Sequence, residues 1–228
     1  MRLFPLTSLV CVLTVQAVAK DNQNPRADYL ILPDPKSEVG VNGKYTKLYE
    51  GKLFLTPGKF ARFVQLPGPL AQTEFAFSIY KKSKQPGNYW ITLTEPTRRL
   101  ADCGPIEPGL PKVNPNTIQV RRYDARLPDS TALALRKVWV GMLRQAPTDP
   151  CKDCSGESTT EIFSAVTDDG KFLEGIFVYP GSKTLALARI AIALEQYCHA
   201  SISNRERIGR DIEKKALELE KRIARRSE

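Results

Sequence analysis

Apolar and polar positions alternate with a period of two through the first half of the chain, which is typical of half-buried β-strands. The clearest alternation covers residues 75–80 and 89–94. A hairpin is predicted over residues 52–66, where Pro57-Gly58 has the composition of a type II turn. One further short strand is predicted at residues 118–121. The N-terminal half is therefore predicted to form an antiparallel β-meander.

In the second half, apolar residues recur at helical spacing between the prolines at 128 and 147. Asp129 or Ser130 is expected to cap this helix. A second hairpin is predicted over residues 160–179, with Asp169-Gly170 forming a two-residue type I′ turn. Because apolar residues occur on both of its faces, we expect both strands of this hairpin to lie centrally in a sheet.

Two more helices are predicted near the C-terminus. Residues 185–197 are apolar nearly all round, so this helix should be buried. Ser203 and Glu206 have capping-box spacing and are predicted to open a charged helix over residues 203–228. Its apolar residues form one narrow stripe: Ile208, Ile212, Ala216, Leu219 and Ile223. We expect this stripe to pack on the protein or the helix to be solvated, with attachment to an anionic membrane surface as the alternative.

These patterns together predict an α+β fold. It combines an antiparallel β-meander with a helix–β-hairpin–helix unit and ends in a charged C-terminal helix. Residues 20–202 are expected to form a single globular domain, and residues 203–228 a charged amphipathic helix. The sequence contains no internal repeat.

The first 19 residues have the composition of a secretory signal peptide. A positive Met1-Arg2 start precedes an apolar run, and Ala17 and Ala19 supply the small residues of a cleavage site. The apolar run is too short to span a bilayer, which needs about 20 apolar residues. We therefore expect a cleaved product in the periplasm or outside the cell, without a transmembrane segment.

The charge of the chain narrows the class of partner. Cleavage after residue 19 removes one arginine and no acidic residue, so the formal net charge of +9 becomes +8. A basic protein associates readily with anionic surfaces. An exported protein rarely meets nucleic acid, so the expected partner is an envelope or extracellular protein, or an anionic envelope component.

Export also decides how the cysteines are interpreted. Cys103, Cys151, Cys154 and Cys198 remain after cleavage, and an even number in an oxidising compartment predicts disulfides of undetermined connectivity. The Cys-x-x-Cys spacing at 151–154 also permits thiol–disulfide exchange, but neighbouring aspartates disfavour a reactive thiolate. A zinc site would need two further ligands, for which Cys103 with Cys198 or His199 are the candidates.

No catalytic motif is recognisable elsewhere. His199, the only histidine, follows the end of the buried helix, where packing and the helix dipole account for it. Asp168-Asp169, with Glu161 or Glu174, offers a carboxylate pair for glycoside hydrolysis, but a hairpin turn explains the aspartates equally well. We therefore predict no catalytic residue, no cofactor and no metal, and a binding protein rather than an enzyme.

The meander carries the candidate binding residues. Tyr80 and Trp90 lie on the face opposite its regular apolar positions, so we expect these two aromatic side chains to contact a ligand. A second layer covering that face would explain them as well.

Four segments resemble a loose pattern in small exported bacterial proteins of uncharacterised function. They are residues 57–64, Val138-Trp139, residues 156–163 and residues 180–182. The resemblance spans roughly residues 45–200. It implies a single α+β module and carries no activity.

Overall fold

The computed structural model describes residues 30, 53, 59–66, 74–83, 88–98, 114–146, 160–177 and 181–225. Six strands lie within these residues: β1 Lys59–Leu66, β2 Phe75–Lys81, β3 Tyr89–Pro96, β4 Val120–Leu127, β5 Thr160–Val166 and β6 Phe172–Phe177. A short 3-10 helix, Pro115–Thr117, precedes β4. The three helices are α1 Asp129–Arg144, α2 Ser182–His199 and α3 Ile202–Ala224.

All six strands join one antiparallel sheet in the order β4-β3-β2-β1-β5-β6. β1 pairs with β2 on one side and with β5 on the other, so the second hairpin extends the sheet of the meander. This arrangement confirms the predicted α+β fold with an antiparallel β-meander.

A row of aromatic rings across the central strands forms the middle of the core. Phe63 on β1 is the register partner of both Phe77 and Phe163, with ring centroids 5.2 Å and 4.9 Å away. Trp139 of α1 packs on this row, 5.2 Å from the Phe163 ring and 6.1 Å from the Phe77 ring. Its indole nitrogen donates a hydrogen bond to the Arg62 carbonyl at 3.2 Å. The row and the indole therefore set where α1 lies on the sheet.

The helices form two layers on this face of the sheet. α1 packs against β5, β6 and β1, and α2 packs against β3 and β4. α3 lies across both α1 and α2. The apolar stripe of α3 is buried there: Ile212 and Ala216 are fully buried and Leu219 is 1% exposed. The stripe thus packs on the protein itself.

The second hairpin turns differently from the prediction. The Thr167 amide donates to the Lys171 carbonyl at 2.9 Å, and the Gly170 amide donates to the Thr167 carbonyl at 3.0 Å. Three residues, 168–170, therefore form the loop, and Gly170 adopts a positive φ of 80°. The Lys171 amide also donates to the Thr167 hydroxyl at 3.0 Å, which lengthens the turn by one residue. The predicted two-residue type I′ turn was wrong; this geometry is that of a three-residue hairpin loop with glycine in the left-handed region.

The predicted helix caps were also wrong. α1 begins at Asp129 with Pro128 at the N-cap, and α3 begins at Ile202 with Ser201 at the N-cap. The hydroxyl of Ser130 instead donates to Glu213 Oε2 on α3 at 2.8 Å. The Ser130 side chain, which the local pattern assigned to capping, therefore makes a tertiary contact with α3 instead.

Two strand predictions need correction at the sheet edges. Among the described strands, β6 is terminal in the sheet and its Phe172 is 48% exposed, so only β5 of the second hairpin is central. β4 continues to Leu127, beyond the predicted residues 118–121, and is the terminal strand on the opposite side of the described sheet. Charged residues alternate along β4, as is common in edge strands.

A substitution at Gly175 of β6 tests how closely the sheet packs against α1. A Cβ atom there would lie 2.9 Å from Leu30 Cβ and 3.1 Å from Leu143 Cδ2. We expect Gly175→Ala to lower the free energy of unfolding by about 1–3 kcal/mol, because the strand or α1 must shift. Urea denaturation followed by circular dichroism measures this change.

Gly141→Ala is the matched control. A Cβ atom at this position in α1 would meet Ile223 Cγ2 at an ordinary 3.4 Å. Alanine also favours a helix interior over glycine by up to about 1 kcal/mol, so this variant should be as stable as the parent or more stable. Equal stability of Gly175→Ala and the parent would contradict the close approach of β6 to α1.

Candidate functional site

The C-terminal end of α2 brings together several ionisable and nucleophilic side chains of different kinds. Glu195, Tyr197, Cys198 and His199 all lie in its last two turns. This end of the helix lies over β3 and β4, at the edge of the sheet.

Three of these groups form what we call the Glu–His cluster: Glu95, Glu195 and His199. One oxygen of each carboxylate and one imidazole nitrogen lie within 4.8 Å of one another. His199 Nε2 is 2.7 Å from Glu95 Oε1. The Tyr123 ring packs edge-on against the imidazole, with centroids 4.5 Å apart, and holds the ring in place.

The fold explains how the cluster forms. Glu195 and His199 are four residues apart on α2, so both side chains project from one face of the helix. Glu95 shares the helix-facing side of β3 with Leu93, which is fully buried. The sequence indicated that His199 ends a buried helix, and the Glu-x-x-x-His spacing was visible. Glu95 was missed because it lies 104 residues before His199 and no local pattern links them.

The electrostatics of the cluster favour a positive charge between its carboxylates. Burial raises the pKa of Glu195 above its usual value, the charge of Glu95 raises it further, and His199 acts in the opposite direction. Carboxylate oxygens and an imidazole nitrogen are ligands for divalent transition metals. Elsewhere in the described residues no other group of three such side chains meets in this way.

Cys198 lies beside the cluster, but its environment makes it unreactive. The residue is 2% exposed and forms no disulfide within the described residues. Burial raises the pKa of this thiol to about 12, with the Arg205 guanidinium opposing the shift. The reactive thiolate is therefore scarce at neutral pH. Cys103, Cys151 and Cys154 lie outside the described residues, so the disulfides and the Cys-x-x-Cys exchange chemistry stay predictions.

A pocket of about 660 Å³ opens next to this end of α2, and we call it the β4 pocket. Its walls come from the start of β3, from β4, from the end of α2 and from the start of α3; they include Trp90, Arg126, Leu127, Tyr197, Ile202 and Arg205. The lining combines apolar surface with two guanidinium groups and with the carboxylates of Asp124, Asp129 and Glu206. This composition suits a ligand with an apolar part and polar or charged groups around it.

Hydrogen bonds fix the walls of the pocket. The Tyr197 hydroxyl donates to the Arg126 carbonyl at 2.5 Å and ties α2 to the outer side of β4. Arg205 Nη2 donates to the Cys198 carbonyl at 3.0 Å, and its guanidinium lies 6.0 Å from the Tyr197 ring centroid. The turn between α2 and α3 is thereby held against the pocket.

The two predicted binding aromatics are register partners on neighbouring strands, on the side of the sheet away from the helices. Trp90 lines the β4 pocket, whereas Tyr80 does not. The Trp90 indole donates to Asn88 Oδ1 at 3.0 Å, and Lys82 Nζ lies 4.7 Å from the ring centroid. Both side chains are half-buried. Their role in binding stays a prediction.

The carboxylates considered for glycoside hydrolysis are not assembled. Asp168 pairs with Arg136 at 2.6 Å and Asp169 pairs with Lys171 at 3.3 Å, both at the hairpin loop. Glu161 pairs in register with Phe177, and Glu174 with Ser164, which places the two glutamates on opposite faces of the sheet. The hairpin turn accounts for the aspartates.

Glu161 is the one acid in the described chain that is strongly perturbed by burial alone. It is 9% exposed, its Oε2 atom has no hydrogen-bond partner in the described residues, and its burial raises the carboxyl pKa to about 7. It lies on the helix-facing side of β5 beside Gln65. Within the described residues, no other carboxylate pairs with it in register.

No protein-family model, curated protein or solved structure matches this chain. The structure itself therefore defines its class: an α+β protein with a six-stranded antiparallel sheet, two helical layers on one face, and a pocket at the sheet edge. None of the helices in the described ranges combines the length and apolar character needed to cross a membrane.

Glu161 predicts a pH dependence of stability. The pKa is 4.5 for an unperturbed glutamate and about 7 in the folded protein. Between these values the folded state holds a proton that the unfolded state releases, so the free energy of unfolding falls as pH rises, by about 3 kcal/mol in total. This contribution of Glu161 to the free energy of unfolding is fully present below pH 4.5 and is lost above pH 7.

Glu161→Gln should remove this part of the pH dependence and stabilise the protein at pH 8, because a neutral amide replaces a buried carboxylate. Denaturant unfolding at several pH values measures it. The exposed Glu218→Gln on α3 is the control and should keep the parental profile. If the free energy of unfolding of Glu161→Gln falls with pH as steeply as that of the parent, Glu161 is not the source of the pH dependence.

Proposed function

We propose that the protein is an exported, non-enzymatic binding protein that holds a segment of an envelope or extracellular partner in the β4 pocket. The observation that carries the proposal is the pocket itself, which lies at an edge of the sheet and is lined by the half-buried Trp90 and by Ile202. The Ile202 side chain is 85% exposed. Scattered exposed apolar residues are ordinary, but a well-formed pocket that gathers them marks a binding site.

The chemistry of the pocket indicates what it would bind. Ile202 and the Trp90 indole suit an apolar side chain of the partner. Arg126 and Arg205 line the same pocket together with Asp124, Asp129 and Glu206, so charged groups of both signs surround that side chain. The overall positive charge of the chain favours a partner that is acidic. We therefore commit to a protein segment with one apolar anchor flanked by acidic residues.

The absence of a competent nucleophile at this site supports binding over catalysis. The Cys198 thiol is buried and protonated at neutral pH. The apolar stripe of α3 is buried against α1 and α2. This packing argues against the alternative in which residues 203–228 attach the protein to a membrane. Only the charged face of α3 would remain for an anionic surface.

Tryptophan fluorescence provides a direct test. The chain has two tryptophans, of which Trp139 is fully buried and Trp90 lines the pocket. An acidic extended peptide with a central leucine should change the Trp90 emission in a saturable way, and binding should weaken with added salt because exposed charges are screened. The same peptide with alanine for leucine, and a basic peptide with leucine, are the ligand controls. Trp90→Phe should remove the signal.

Ile202→Ser should weaken binding about tenfold, because loss of this contact surface is worth about 1.4 kcal/mol. Leu217→Ser, which alters another exposed apolar residue of α3 outside the pocket lining, should bind as the parent does. Equal affinity of the Ile202→Ser and Leu217→Ser variants, or no preference for the acidic peptide, would overturn the proposal.

A further inference from the structure

We propose that Glu95, Glu195 and His199 form a binding site for a divalent transition-metal ion, and that Zn²⁺ is the ion this ligand set fits. The site is separate from the proposed binding of a partner in the β4 pocket. Either proposal can fail without the other.

The arrangement of the three side chains is the first argument. Their ligand atoms lie within 4.8 Å of one another and come from two different elements, β3 and α2. Two ligands four residues apart on one helix, with the third from elsewhere, are a common way to hold a metal ion on a helix face. Ligands around Zn²⁺ in tetrahedral geometry lie about 3.3 Å apart, so small side-chain rotations close the site.

The charge balance is the second argument. An imidazolium can neutralise only one of the two carboxylates, and His199 already contacts Glu95. Within the described ranges, neither Glu95 nor Glu195 forms an ion pair with a lysine or arginine. A divalent cation among the three ligands would neutralise both carboxylates and bind a neutral imidazole.

The ligand types select the ion. Mg²⁺ and Ca²⁺ prefer sites made of oxygen atoms alone, whereas an imidazole ligand suits Zn²⁺ and its neighbours in the first transition series. Three protein ligands leave a coordination position for water or for a group of a bound molecule. The His199 side chain is 37% exposed and the Glu95 side chain 23% exposed, so an ion can enter from solvent.

The surroundings hold the ligands in place. The Tyr123 ring packs edge-on against the imidazole, and the Tyr197 hydroxyl anchors the same turn of α2 to β4. Contacts of this kind orient a metal ligand before the ion binds. The site is therefore partly preorganised at a junction of sheet and helix.

The single histidine makes the test selective. The full chain is produced without an affinity tag and with ¹⁵N-labelled histidine, and a chelator removes bound metal. ZnCl₂ is then added in steps while the imidazole nitrogen signals are recorded by NMR. Saturable Zn²⁺ binding should shift the Nε2 signal of His199 in step with the heat measured by isothermal titration calorimetry. It should also raise Tm.

Replacing each ligand separates the site from adventitious binding. Glu95→Gln, Glu195→Gln and His199→Ala should each weaken Zn²⁺ binding by about tenfold or more. Glu218→Gln removes an exposed carboxylate of α3 and should bind Zn²⁺ as the parent does. Tm without metal is measured for every variant, and the conservative glutamine variants keep the test valid if His199→Ala does not fold.

Binding to cysteines elsewhere in the chain is distinguished by the same measurements. Zn²⁺ uptake that leaves the imidazole signals unchanged, or that survives all three ligand replacements, would overturn the proposal. Titration with Co²⁺ gives a second check, since cysteine ligation produces a sulfur-to-cobalt charge-transfer band and the proposed oxygen and nitrogen ligands do not.

Discussion

The packing of Trp139 on the aromatic row of the sheet is the contact on which the rest of the structure depends. Phe163, Phe63 and Phe77 lie side by side on three neighbouring strands, and the indole covers them while donating to the Arg62 carbonyl. Aromatic pairs at these distances contribute about 0.5–1.5 kcal/mol each beyond the area they bury. This contact sets the position of α1, and α1 in turn supports α3.

α3 lies on α1 and α2, and the way it is held there affects both proposed sites. Its apolar stripe covers α1 and α2, while Ser130 on α1 holds Glu213 of α3 by a hydrogen bond. The turn that leads from α2 into α3 supplies Ile202 and Arg205 to the β4 pocket. The last turn of α2 simultaneously directs His199 towards Glu95. One helix end therefore organises the pocket on one side and the Glu–His cluster on the other.

Some elements could be predicted from the sequence, because a regular alternation of apolar and polar residues marks a strand and a continuous apolar run marks a buried helix. This holds for β2 and β3 and for the all-round apolar α2. β4 was predicted too short, although Tyr123, Ala125 and Leu127 alternate with charged residues along it. Its charges concealed a strand with one buried face at the edge of the sheet. The predictions of the helix caps and of the hairpin loop were wrong. Ser130 and Thr167 each bond to a tertiary or loop partner, which competed with the predicted local one.

The sequence by itself determined the α+β class, the strands β2 and β3, and the placement of Tyr80 and Trp90 on the face opposite the regular apolar positions of these strands. These features depend on periodicity, which is local. Only the tertiary structure decided that β4 and β6 are edges, that Trp90 lines a pocket, and that Glu95 meets Glu195 and His199. Strand order and the packing of helices on the sheet determine these contacts, and they join residues about a hundred positions apart that no local pattern connects.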